Sequence, residues 1–144
     1  MFRKLDDTIS VSEQVTPADV ARAAALGFAF VVNNRPEGEQ PGQPEGAAIE
    51  AAAREAGLGY AAVPIGHGGF SENQIVAMRD ALEGAGGPVL AFCRSGTRST
   101  FIWALARASR GDDPAVLEAK AAQAGYDIAP IRAMLDMLSA RAAG

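Results

Sequence analysis

"PVLAFCRSGTRSTFIWAL", residues 88–105, holds the only cysteine of this 144-residue chain and decides how the rest is read. An apolar run ends at Cys93, a short loop with Arg94, Gly96 and Arg98 follows, and a Ser-Thr pair opens a second apolar run. The first run (88–92) has the length of a buried strand, and residues 99–110 have the length of a helix. A strand that passes into a helix through a glycine-bearing loop is the building unit of an α/β sheet. In such sheets ligand sites gather at the carboxyl ends of the strands, and Cys93 stands at such an end.

The segments upstream repeat the pattern. Thr16, Pro17 and Asp19 signal a helix start, as N-cap, first helical residue and first-turn acid, and Gly27 stops that helix after Leu26. "FAFVVNN" (28–34) predicts a strand, "RPEGEQPGQPEG" (35–46) an exposed loop, and "AAIEAAAREAG" (47–57) an alanine-rich helix. "GYAAVPI" (59–65) predicts the next strand and "GHGGF" (66–70) a flexible loop. "SENQIVAMRDALEGAGG" (71–87) opens with a Ser-x-x-Gln capping box and closes on glycines. Beyond residue 110, Asp113-Pro114 and Asp127 start two further helices, and "LDDTISVSEQ" (5–14) reads as one edge strand or a hairpin. Strands alternating with helices predict a three-layer α/β sandwich with a mainly parallel sheet of four or five strands. With no repeat and no dividing linker, residues 1–144 read as a single domain.

Composition bounds the function. Apolar residues make up 49% and charged residues 21%, the profile of an ordinary globular domain. No apolar run approaches the roughly 18 residues that span a bilayer, and "MFRKLDDTIS" lacks the apolar stretch of a secretory signal. A lone cysteine forms no internal disulfide, which fits a reducing compartment, so a cytoplasmic location is expected, with no membrane partner. A net charge of −4 argues against nucleic acid as a partner. One His and one Cys supply too few soft ligands for a dedicated metal site, and no cofactor is expected. The oligomeric state is not legible.

The loop after Cys93 carries the chemistry. Backbone N–H groups of residues 94–99 can turn inward as an anion nest, with Gly96 permitting the curvature. The helix that follows adds its positive end. Those features, with Arg94 and Arg98, favour a thiolate over a thiol and also gather an anionic substrate. A buried structural cysteine is the plain alternative, but two arginines, a central glycine and a Ser-Thr helix start are more than packing requires.

"CRSGTRS" (93–99) resembles the active-site loop of rhodanese sulfurtransferases and the signature of cysteine-dependent phosphatases. Together with "VSEQVTPADVARAAALGFAFVVNNRPEGE" and "GLGYAAVPI", it is similar to the phosphatase-like domain of beta-lactamase-hydrolase-like proteins over about residues 8–110. That family is related to dual-specificity phosphatases and is often described as a sulfur transferase. The resemblance implies a cysteine-phosphatase-like fold, Cys93 as nucleophile, Arg98 as anion holder and an arginine at position 35. Two departures stand out. Four residues separate Cys93 from Arg98 where the phosphatase pattern has five, and Phe92 stands where a histidine is usual. A shorter loop cradles a single extra sulfur better than a phosphoryl group. A phosphatase also wants a general acid, and "PIGHGGFSENQ" (64–74) contains no Asp, leaving His67 and Glu72.

The expected catalytic residues are therefore Cys93 and Arg98. Substrate-binding candidates are Arg94, Ser95, Gly96, Thr97, Ser99, Arg35 and His67. Ser99 is expected first as the N-cap of the helix, with its hydroxyl also within reach of the Cys93 sulfur. Arg35 is read equally as a site residue or a solvated loop charge, and Asn33 and Asn34 as organisers of their turn. Phe101, Ile102, Trp103 and Leu105 read as core, as does one face of "MLDML" (134–138). Three functions follow in order: sulfur transfer through a Cys93 persulfide, phosphate-ester hydrolysis through a phosphocysteine, and a non-catalytic anion-binding regulatory module. The partner in each is a small anion, thiosulfate or persulfide in one case and a phosphate ester in another.

Overall fold

The computed structural model describes residues 2–144. The strands are β1 (Arg3–Asp6), β2 (Ile9–Ser12), β3 (Phe30–Asn33), β4 (Gly59–Ala62) and β5 (Val89–Phe92). The helices are α1 (Pro17–Ala25), α2 (Gly46–Glu55), α3 (Glu72–Glu83), α4 (Thr97–Ala108), α5 (Pro114–Gln123) and α6 (Arg132–Ala143), the last preceded by a 3₁₀ turn at Ala129–Ile131.

Helix starts follow their side chains. The Thr16 hydroxyl accepts from the Asp19 N–H (3.2 Å) while the Asp19 carboxylate accepts from the Thr16 N–H (2.9 Å). Ser71 and Gln74 repeat the reciprocal pair at α3, as the capping box predicts. Asp113 caps α5 through the Ala115 N–H.

The sheet has five strands in the order β1-β2-β5-β3-β4, and only the β1–β2 pair is antiparallel. The segment 5–14 does contribute to a hairpin. Its second strand, however, lies inside the sheet beside β5, and even Ser10 and Ser12 are buried there. Because side chains alternate along a strand, β5 serves two cores. Val89 and Ala91 face α3, α4, α5 and α6, packing with Met78, Trp103, Leu117 and Leu135. Leu90 and Phe92 face α1 and α2, packing with Val20, Ala23, Ile49 and Ala53. That is the expected sandwich with helices on both faces.

Register positions the site. Ser12, Phe92 and Asn33 are level across β2, β5 and β3, so three strands end on one line. Just beyond it the Cys93 N–H donates to the Ser12 carbonyl (3.3 Å) and the Asn34 N–H to the Phe92 carbonyl (2.8 Å). Cys93 and Asn34 are thereby anchored side by side at the carboxyl edge.

Candidate active site

Cys93 is fully buried, and its sulfur accepts a hydrogen bond from the Gly96 N–H at 3.0 Å. The loop closes so tightly because Gly96 adopts φ +90°, a conformation other residues reach only with strain. Gly96 has a second constraint: a Cβ there would overlap the Tyr126 hydroxyl. That hydroxyl donates to the Ser95 carbonyl (3.1 Å) and closes the loop from outside. Ser95 Oγ donates to Thr97 Oγ1 (3.1 Å) within the loop, and Thr100 Oγ1 donates back to the Gly96 carbonyl (2.8 Å).

Gly96, not Ser99, is the N-cap, because α4 begins at Thr97, two residues earlier than the sequence predicts. Ser99 is instead buried and donates to Asn34 Oδ1 (2.8 Å), while Asn34 Nδ2 donates to the Val63 carbonyl (2.9 Å). This polar chain ties α4 to the ends of β3 and β4 beneath the loop. Asn33 does organise its turn, accepting from the Arg35 N–H at 2.9 Å.

The cationic side of the site is built around a carboxylate that the sequence reading missed. Arg98 Nη1 and Nη2 donate to Glu39 Oε2 (2.6 Å) and Oε1 (2.9 Å), and Nη1 also donates to the Ile65 carbonyl (2.7 Å). Arg35 Nε donates to the same Glu39 Oε1 (2.9 Å), and its terminal nitrogens reach Gln14 (3.1 Å) and Gln40 (3.0 Å). Arg35 is not a solvated loop charge: its side chain is 3% exposed. The Arg98 hydrogen bond, followed by that of Arg35, holds the Glu39 carboxyl at a pKa of about 2 despite the opposing effect of burial. Reciprocally, Arg98 is pushed above its ordinary value, first by Glu39 and then by the charge of the neighbouring Cys93 sulfur.

His67 is exposed, with Nε2 3.6 Å from Glu39 Oε2. Glu72 is an exposed first-turn residue of α3. Arg94 is exposed on another flank, where it lines a cavity of about 460 Å³ with Arg3, Glu13, Ser95 and Tyr126. Trp103, Ile102 and Leu105 are core residues, as is Leu135 of the 134–138 stretch. Cys93, Gly96, Arg98, Arg35 and His67 thus gather around one anionic knot, with Ser99 beneath it. The signal that could have found Glu39 is its spacing four residues after Arg35, hidden in a loop whose composition reads as solvent-exposed.

Chemically, the arrangement presents a sulfur at a helix N-terminus beside a guanidinium whose Nη1–Nη2 end is locked by a carboxylate. Among the described residues, Arg98 Nε makes no hydrogen bond to an oxygen, and the guanidinium is within hydrogen-bond reach of the Cys93 sulfur. An anion brought to the sulfur can therefore be received by the same guanidinium. Among the described residues, no helix is long and apolar enough to cross a membrane.

Comparison with known proteins points the same way. The model of the family described as beta-lactamase hydrolase-like protein, phosphatase-like domain, matches residues 1–110. A beta-lactamase hydrolase-like protein of Xylella fastidiosa (strain Temecula1) is 36% identical over 107 residues, 74% of this chain and 25% of that protein. The chain therefore spans about a quarter of the length of such curated relatives. A candidate phosphatase of Neisseria meningitidis superposes with a TM-score of 0.81 and 32% identity, covering 94% of this chain and 96% of the other. TpbA of P. aeruginosa, solved with phosphotyrosine, superposes with a TM-score of 0.65 and 20% identity, covering 99% of this chain and 90% of the other. At that identity TpbA speaks for the fold alone.

Proposed function

The chain belongs to the phosphatase-like domain family of beta-lactamase hydrolase-like proteins, and on that footing we propose that it is a cysteine-dependent phosphatase of small phosphate monoesters. The observation that carries this reading is the Cys93 sulfur, receiving the Gly96 N–H beside an Arg98 whose far end is locked by Glu39. The sulfur attacks phosphorus, an S–P bond forms, and the P–O bond to the leaving alcohol breaks. Water then cleaves the S–P bond, releasing inorganic phosphate and restoring the thiolate. The Arg98 guanidinium and the N-terminal end of α4 stabilise the equatorial oxygens, over which charge is spread in the transition state. Full burial of Cys93 favours a narrow substrate tip such as an aryl phosphate, and TpbA, a fold relative, holds phosphotyrosine.

Sulfur transfer, the first expectation from sequence, becomes the second reading. What favours it is the spacing of four residues between Cys93 and Arg98, which leaves a short loop whose Gly96 N–H closes on the sulfur. A persulfide needs only such a small cradle, and sulfite leaves thiosulfate without being protonated.

One experiment separates them. The wild type and Cys93→Ser are supplied in parallel with p-nitrophenyl phosphate and with thiosulfate plus cyanide. Cys93-dependent release of nitrophenol, with a phosphoryl adduct in rapid-quench intact mass spectrometry, is the expected result. A thiosulfate-derived adduct of one sulfur, ~32 Da, without phosphate release would replace this reading by the second. Turnover of neither overturns both and leaves an anion-binding module.

A further inference from the structure

Cleaving a P–O bond leaves an oxyanion, and for a phenol or alcohol of pKa about 10 or more that step is slow unless a proton arrives with it. The described residues near the mouth provide few groups that could deliver one. Glu39 is the nearest carboxylate, but its two oxygens receive three guanidinium hydrogen bonds. With its pKa at about 2 it holds no proton at neutral pH. Glu72 is spent on the first turn of α3, and the loop before it contains no Asp.

We propose that His67 is the general acid of the phosphatase reaction, held over the anion site by Glu39; this assignment rests on the phosphatase reading above. The geometry is a short relay. Glu39 Oε2 receives Arg98 Nη1 at 2.6 Å and lies 3.6 Å from His67 Nε2, so one carboxylate separates the imidazole from the guanidinium beside Cys93. An imidazolium there pairs with Glu39 through Nε2–H, which leaves Nδ1–H, on an exposed ring, for the leaving group. The charged groups facing it through this knot are Glu39 and, behind it, Arg98 and Arg35. Gly66, Gly68 and Gly69 flank the histidine with open space at their α-carbons, so no neighbouring side chain fills the ground beside the ring.

The proton balance closes over the cycle. As the sulfur displaces the alcohol, the departing oxygen takes the Nδ1 proton and the ring is left neutral, with Nε2–H still on the carboxylate. In the second step a water attacks the phosphocysteine and passes its proton to Nδ1. The S–P bond breaks, phosphate and thiolate separate, and the imidazolium is restored. Glu39 keeps its charge throughout and acts as a positioning residue.

The test is leaving-group dependence. With the purified full chain, kcat is measured on p-nitrophenyl phosphate, whose phenol leaves readily as an anion, and on phenyl phosphate, whose phenol has a pKa of about 10. His67→Asn should lower kcat on phenyl phosphate on the order of 100-fold and on p-nitrophenyl phosphate by less than about tenfold. Added imidazole should restore part of the phenyl phosphate rate in His67→Gly, and Glu72→Gln should match the wild type on both substrates. His67 is exposed, so these variants keep the fold. Equal loss on both substrates, or no loss, overturns the assignment of His67 while Cys93-dependent hydrolysis stands. Absence of Cys93-dependent hydrolysis in the wild type overturns the phosphatase reading and this assignment with it.

Discussion

Replacing Glu39 by Gln removes the charge that two arginines share and keeps nearly the same shape. In the wild type the carboxylate is 15% exposed and Arg35 only 3%, so this is the breaking of a buried ion pair, not of a surface one. The carboxyl stands at about 2 instead of the ordinary 4.5, and each unit is worth about 1.4 kcal/mol, so the charged form is stabilised by roughly 3 kcal/mol. That agrees with the cost of about 3–5 kcal/mol for stripping one partner from a buried pair. In a domain of this size it corresponds to a midpoint lower by roughly 6–12 °C. The pH dependence follows from the sign of the shift. Since the folded pKa lies below the ordinary one, the contribution is whole above about 4.5 and is lost as pH falls through about 2. Glutamine does not titrate. The stability gap between wild type and Glu39→Gln, read from urea unfolding, should be roughly 3 kcal/mol at pH 7 and about 1.4 kcal/mol smaller one pH unit below 4.5. A gap under about 1 kcal/mol at pH 7, or one that does not change on acidification, would refute the account of Glu39 as a buried anion shared by Arg35 and Arg98.

Arg98→Lys keeps the charge but loses the planar fork that binds Glu39 and the Ile65 carbonyl at once and that the proposed reaction uses to hold its anion. Steady-state kinetics should show kcat/KM lower by about 100-fold or more, whereas Arg94→Ala, at an exposed position, should mainly raise KM. Gly96→Ala forces a side chain into φ +90° against the Tyr126 hydroxyl, and thermal unfolding should show a loss of about 2–3 kcal/mol. Adding Tyr126→Phe removes the obstructing oxygen and should recover part of that loss, so a strictly additive double variant would rule out the steric account.

The alternation of strands and helices was legible because local signals and tertiary outcome agree here. Thr16 and Ser71 cap the helices they announce, and apolar runs of strand length at 28–34 and 88–92 lie in the middle of the sheet. The placement of Cys93 and Arg98 was legible because the chain itself puts a strand end, a glycine loop and a helix start in sequence. What escaped depends on distance along the chain. Glu39 meets Arg98 across 59 residues, and in a loop rich in Pro, Gly and charge nothing local marks one carboxylate as buried. The interior place of β2 was hidden by Ser10 and Ser12, whose polarity suits an edge. Ser99 was misassigned as a cap because Ser and Thr are the usual cap residues, whereas here a left-handed glycine starts the helix two residues sooner.

The two-sided alternation of β5 makes this small sheet a partition wall between neighbourhoods that share no side chain. Val89 and Ala91 answer to one set of helices, Leu90 and Phe92 to the other. Substitutions in the α1/α2 compartment can therefore accumulate, and be compensated locally, with little interference from those around α4 and α6. Paired changes across the wall should be nearly additive in free energy, and paired changes within a compartment should not. Inheritance of the Cys93 loop is then constrained mainly by the larger compartment, in which α4 sits, while the α1/α2 layer is freer to drift.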